Sequence, residues 1–170
     1  MPKRLPPGAM IAFGVILVIS ALFYLGFKGI IAGSDASNLP KSLTDLPLTA
    51  ATYGSEAVQE ITRLHGKEFP LVSGAMGMYG SSDQATLWVA GFADDPTAAQ
   101  ILRAMHEKIA SVDTPFTPTG EEQITGRTVY LLNGMGQKHI YFQSSSLVIW
   151  LAVNPEIAEK AIQQILKAYP

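Results

Sequence analysis

The side chains best able to do chemistry are few and scattered. His65, His106 and His139 are the only imidazoles in 170 residues, and the chain has no cysteine. A tetrahedral zinc site needs such donors at short, regular spacing. No two of the histidines form an H-x-x-x-H pair, and no thiolate can complete a set. Their settings point to structure. His65 ends an expected helix, where a cation is mildly favourable, His106 borders an apolar helical stripe, and His139 lies in an expected strand.

A nucleophilic serine of hydrolase type sits on a strained G-x-S-x-G elbow. Ser81-Ser82 and Ser144-Ser145-Ser146 lack that context and fall at expected hairpin turns. Adjacent carboxylates occur at Asp94-Asp95 and Glu121-Glu122. The first pair opens a helix, where exposed N–H groups favour negative charge; the second is expected in solvent. The segments GAMGMYG (74–80) and NGMG (133–136) do not lead into a helix carrying Lys and Ser or Thr, so neither reads as a phosphate loop. Glycine inside a strand marks a bulge, a bend or a close backbone approach, and a bent sheet is expected here. Trp88 and Trp150 could stack on a ligand; borne on strands, they are expected as core or interface anchors. No catalytic residue, metal or cofactor is expected.

The elements that position these residues follow from periodicity. Ala57, Val58, Ile61 and Leu64 share one helical face over Ser55–His65, with Gly66 as C-cap. Strands are expected at Phe69–Tyr79 and Gln84–Phe92. Asp95 as N-cap and Pro96 at N1 open a second helix with the stripe Ala98, Ile101, Leu102, Met105 and Ile109. The Pro-rich passage TPFTPTG (114–120) separates this series from a second one. Strands are expected there at Gln123–Leu132, Lys138–Gln143 and Leu147–Val153. Asn154 and Pro155 then open a helix with the stripe Ala158, Ala161, Ile162, Ile165 and Tyr169.

A shift of sixty residues superposes the two stripes, and a shift of 62 pairs Tyr79 with Tyr141 and Trp88 with Trp150. The ordered matches predict an internal repeat, about 61–109 and 121–169. The expected fold is therefore an α+β domain of duplicated ββα units sharing one antiparallel sheet, with the helices mainly on one face. In Leu147–Val153 both alternating sets of side chains are apolar, so something must cover each side of that strand.

The N-terminus is of another kind. Residues 1–7 hold Lys3 and Arg4, and Gly8–Phe27 then carry no charge. Twenty residues rising about 1.5 Å each make roughly 30 Å of helix, the thickness of a bilayer's hydrocarbon core. Segment 8–32 is expected to be a single transmembrane α-helix. A buried helix fits less well because the run has no polar face. A cleavable signal peptide fits less well because the run is long and Ile30 occupies the first position of an A-x-A site. The basic flank puts the N-terminus in the cytoplasm and the C-terminal domain in the periplasm or outside the cell. Residues 33–52 read as a linker, and 53–170 as one domain. A net charge of −2 without a cluster of Lys and Arg argues against nucleic acid as a partner.

These features predict a non-enzymatic, membrane-anchored accessory or structural subunit of a membrane protein complex. Its partners would be the lipid bilayer and other integral membrane proteins, and a homo-oligomer is compatible with the same features. The expected partner interface comprises Phe13, Phe23, Tyr24, Trp88, Val148 and Trp150. The alternative is an extracytoplasmic module that binds a small molecule or lipid beneath a bent sheet at Met76, Met78, Tyr79 and Tyr141; an enzyme ranks third. The intact chain is expected to sediment with membranes and to require detergent for release. Intact chain recovered from the soluble fraction would remove the anchor.

Overall fold

Where the chain turns dictates its sheet. In a computed structural model, which describes residues 36, 38–65, 70–81, 84–111 and 114–170, the C-terminal half is a four-stranded meander. Its strands are β5 (Phe116–Ile124), β6 (Arg127–Gly134), β7 (Gln137–Ser144) and β8 (Leu147–Val153). Two-residue turns join them at Thr125-Gly126, Met135-Gly136 and Ser145-Ser146. Both residues of the first two turns have positive φ, 50° and 81°, then 53° and 79°. That pairing matches the twist of a tight antiparallel hairpin. The second glycine of NGMG therefore serves a turn rather than a bend within a strand.

The N-terminal half supplies β1 (Ser42–Leu43), β2 (Leu46–Tyr53), β3 (Ser73–Tyr79) and β4 (Ala85–Gly91). All eight strands form one antiparallel sheet in the order β1-β2-β3-β4-β8-β7-β6-β5. Two expectations from composition are corrected here. Much of the stretch read as a linker is folded, because Leu43 is fully buried and Leu46 and Leu48 pack against the core. The Pro-rich passage lies largely within β5. An edge strand tolerates proline, and the register shifts between Pro118 and Gly120.

Three helices complete the described fold: α1 (Gly54–His65), α2 (Asp95–Ser111) and α3 (Ala158–Ala168), the last preceded by a 3-10 turn at Pro155–Ile157. The cap of α2 is Asp94, one residue before the expected Asp95. Its Oδ1 accepts the Thr97 N–H at 2.8 Å. Hydrogen bonds from the side chain and then the backbone of Thr97 hold this carboxyl below its ordinary range. Asn154 makes no side-chain cap bond.

Alternation sorts the side chains of the sheet. Leu87 and Val89 of β4, Ile149 and Leu151 of β8, and Ile140 and Phe142 of β7 point to one side. There they join Ala161 and Ile165 of α3, and Tyr169 just after it, in one core. The other side holds Tyr141 and Val148, packed with Ala98 and Leu102 of α2. On that same side α1 lies against β3, where Gly74 leaves it room. A Cβ at Gly74 would stand 3.1 Å from the Val58 backbone nitrogen. Two helices thus share one face and α3 lies on the other, so the stripes superposed by the sixty-residue shift sit on opposite sides of the sheet. The 62-residue match is also only partial. Trp88 and Trp150 pair directly across β4 and β8. Trp88 faces Met76 in β3, however, whereas Trp150 faces Tyr141 in β7, because connection 80–84 is longer than Ser145-Ser146.

The face beneath α3 is closed by residues that precede β2. Ala36, Leu39 and Leu43 are buried there. The Tyr169 hydroxyl donates to the Asn38 carbonyl at 2.9 Å, and the Tyr79 hydroxyl to the Pro40 carbonyl at 3.0 Å. Gln164 of α3 donates to the Ser42 carbonyl at 2.8 Å and accepts the Thr44 N–H at 2.6 Å. Burial raises the pKa of both tyrosines, so both phenols stay protonated donors. Gln164→Ala removes two bonds at once and is expected to cost about 1–3 kcal/mol of stability. The checks are denaturant unfolding and faster amide exchange across residues 41–48; unchanged exchange there would show that Gln164 does not hold the strap.

Candidate functional site

Chemistry-bearing side chains do gather in one place, on the α2 side of the meander. Three neighbouring strands carry Tyr130, Tyr141 and Trp150 as successive register partners, and β4 continues the row with Trp88. Tyr130 and Tyr141 stack at 4.8 Å between ring centroids, and Tyr141 and Trp150 at 5.1 Å. Phe116 meets Trp150 edge-on at 5.3 Å. Direct cross-strand alignment brings such rings together, and each pair contributes on the order of 0.5–1 kcal/mol beyond its burial.

At the centre of this row the polar atoms of Tyr141 and Trp150 are engaged, whereas Trp88 Nε1 is buried without a hydrogen-bond partner among the described residues. His139 is buried, with Nε2 3.0 Å from the Gly134 carbonyl and Nδ1 accepting the Trp150 indole N–H at 3.1 Å. Only a neutral imidazole with its proton on Nε2 satisfies both contacts, since a protonated ring would set two donors against each other. Burial holds the His139 pKa below 6.5, against a smaller opposing effect from the Gly134 carbonyl. Tyr141 Oη lies 3.0 Å from His106 Nδ1, a hydrogen bond whose direction follows the His106 tautomer, and burial raises the Tyr141 pKa, so the phenol stays protonated. Ser144 donates to the Pro170 carbonyl at 2.6 Å on the opposite face. Among the described residues, no group of three or more His, Asp or Glu side chains could hold a metal ion. The geometry is that of an ordered aromatic core whose polar atoms are matched internally at His139, Trp150 and Tyr141 and unmatched at Trp88 Nε1.

The expected interface residues fall unevenly on this arrangement. Trp88 and Trp150 are register partners on one side of the sheet. Val148 shares that side but is 4 % exposed, packed beneath α2 with Phe92, Ala98 and Leu102. Val148 is therefore covered by the chain itself, while Trp88 and Trp150 stay half-buried. Phe13, Phe23 and Tyr24 lie outside the described residues, as does the transmembrane segment 8–32; among the described residues, no helix is long and apolar enough to cross a membrane. The set proposed for a ligand pocket is split. Met76, Met78 and Tyr141 point to one side and Tyr79 to the other.

An opening does exist, on the α3 side. A groove of about 1040 Å³ runs between α3 and the β5–β7 end of the sheet. Val129, Leu131 and Ile140 form its floor, with Ile124 and Ile162 at the sides and Leu166 behind. Charged residues of both signs rim it, including Glu122, Lys138, Glu159 and Lys167. Arg127 shapes one end. Its guanidinium donates to the Leu166 and Tyr169 carbonyls, fixing the C-terminal turn of α3, and lies 5.3 Å over the Phe142 ring. Sequence reading missed this groove because β5 was taken for a connection. With β5 absent from the sheet, Ile124 could not be set opposite Arg127 at the groove's side, nor the exposed Glu122 on its rim.

The neutral state of His139 has a consequence for stability. Its folded pKa lies below the unfolded value near 6.5, so the unfolded chain binds more protons as the pH falls. The contribution is complete above the unfolded value and is lost as pH drops through it toward the folded one. The thermal midpoint is expected to fall between about pH 7.5 and 5.5, and His139→Gln should flatten that dependence; equal slopes in both proteins would remove His139 as the cause. No family model, curated protein or solved structure matches this chain, so the reading of the site rests on its own geometry.

Proposed function

We propose that this chain is a non-enzymatic accessory or structural subunit of a membrane protein complex. Segment 8–32, uncharged through Phe27, would anchor it, with the N-terminus cytoplasmic and the folded domain periplasmic or extracellular. The domain would dock on its partner through the groove beside α3. That groove carries the reading. Its floor is apolar and its rim mixed in charge, the anatomy of a protein contact with a dry centre and a polar edge. The engagement of His139, Tyr141 and Ser144 in internal bonds supports a role in contact rather than catalysis. The interface moves from the Val148–Trp150 side to the α3 side because α2 buries Val148.

We also read the two central hairpins, β3–β4 and β7–β8, as copies of one unit. The antiparallel register of β4 and β8, centred on Trp88 and Trp150, supports this. On this reading the helices diverged after duplication, one to each side of the sheet.

A second reading shares the groove. Its volume lies at the upper end of the range for small-molecule sites, which favours a lipid or other apolar ligand as the alternative occupant. Purifying the full chain from membranes in mild detergent separates the two. A stoichiometric partner protein, lost on Ile124→Asp and Ile162→Asp with the fold retained by circular dichroism, is the expected result. A bound lipid without a protein partner selects the second reading. A lone, ligand-free monomer counts against both.

A further inference from the structure

The two ends of the sheet are finished differently. At one end, β5 carries Pro118, a register shift at Gly120, and the exposed carboxylates Glu121 and Glu122. These features block the addition of another strand. At the other end β2 also has a proline, Pro47, but β1 covers it, and the strand carries no carboxylate. β1 flanks β2 only at Leu46 and Pro47, and the Leu48 N–H reaches the Lys41 carbonyl at 2.9 Å. Beyond Leu48, among the described residues, no strand lies outside β2. The open stretch Thr49–Tyr53, TAATY, has no charge, no proline and mostly small side chains, and Thr49, Ala50, Ala51 and Tyr53 are exposed. A register shift falls at its start, between Leu48 and Ala50, leaving Ala50–Tyr53 regular.

Apolar exposure concentrates at the same end. Of the four large hydrophobic side chains exposed among the described residues, Tyr53, Leu64 and Val72 belong to the β2–α1–β3 unit. Bare strand edges and clustered exposed apolar groups both mark a contact surface.

The occupant follows from symmetry. Two antiparallel copies of an edge strand pair about a twofold axis, so each residue must tolerate its mirror position. About an axis at Ala51, Ala51 faces itself, Ala50 faces Thr52, and Thr49 faces Tyr53. No like charges meet and no bulky pair falls at the axis. A heterologous partner would ordinarily be selected by charge, and this edge offers none. We propose that the outer edge of β2 pairs with β2 of a second copy of this chain, joining two sheets into one across a twofold at Ala51. The inference concerns the edge only and stands apart from the groove.

Because the chain has no cysteine, a single introduced thiol reports the contact cleanly. In full-length protein, in membranes and in mild detergent, Ala51→Cys should form a covalent dimer with a short bis-maleimide. Thr117→Cys on the β5 edge should remain monomeric. Ala51→Lys sets like charges opposite each other at an exposed position and should weaken self-association by roughly tenfold or more in sedimentation, with an unchanged circular-dichroism spectrum. Cross-linking at 51 no better than at 117, or association unaffected by Ala51→Lys, would overturn the proposal.

Discussion

The pairing of β4 with β8 is the constraint on which the rest of the domain depends. Seven residues of each strand meet in antiparallel register, from Ala85 opposite Val153 to Gly91 opposite Leu147. Each strand also closes a hairpin of its own, β4 with β3 and β8 with β7. Without this seam the two halves would each expose an apolar strand edge and half a core. With it, Leu87 meets Leu151 and Val89 meets Ile149 on one face, while Trp88 meets Trp150 on the other. The partners lie some sixty residues apart, so loop closure must precede the gain in burial. Such topologies fold slowly relative to helical domains.

Because the seam is apolar on both faces, the chain must cover it twice. On one side α2 and α1 provide the cover from within the sequence of the first half. On the other, α3 arrives after the last strand and the 36–43 segment arrives before the first. These late and early pieces are held by directional bonds as well as burial. Three carbonyls of the strap accept from Tyr169, Tyr79 and Gln164. A short irregular segment has no ladder to satisfy its carbonyls, so side-chain donors must supply the bonds or water must remain. The strap therefore belongs to the domain core, and little of the segment that resembles a tether is free to act as one.

Legibility in the sequence tracks how local the determining signal is. Helix stripes, the strands β6 to β8 and the two-sided character of β8 were readable because each depends on periodicity within ten residues. The placement of α2 and α3 on opposite faces was not, since their stripes are nearly interchangeable and only the direction of the chain after β4 and β8 decides. β5 was missed because proline and glycine weigh against a strand in general, although at an edge they are admissible. The aromatic row was recoverable in principle. A turn at Met135-Gly136 sets Tyr130 opposite Tyr141, and one at Ser145-Ser146 sets Tyr141 opposite Trp150. Reading NGMG as a bend in a strand rather than a turn hid that alignment, and with it the environment of His139.

The distribution of polarity narrows what the described domain can do. A catalytic imidazole needs an accessible nitrogen and a proton to exchange, yet both nitrogens of His139 are engaged and the ring is buried. A nucleophilic hydroxyl needs a base, yet that of Ser144 donates to a backbone carbonyl. What the surface offers is of a different sort: an apolar groove beside α3 and, at the far end of the sheet, a bare strand edge. Elsewhere the chain finishes an edge with charge and proline at β5, and buries Val148 beneath α2. Uncovered apolar surface and unguarded backbone both carry a risk of nonspecific association. On the reading proposed above, both places would serve contacts of the folded domain with other molecules.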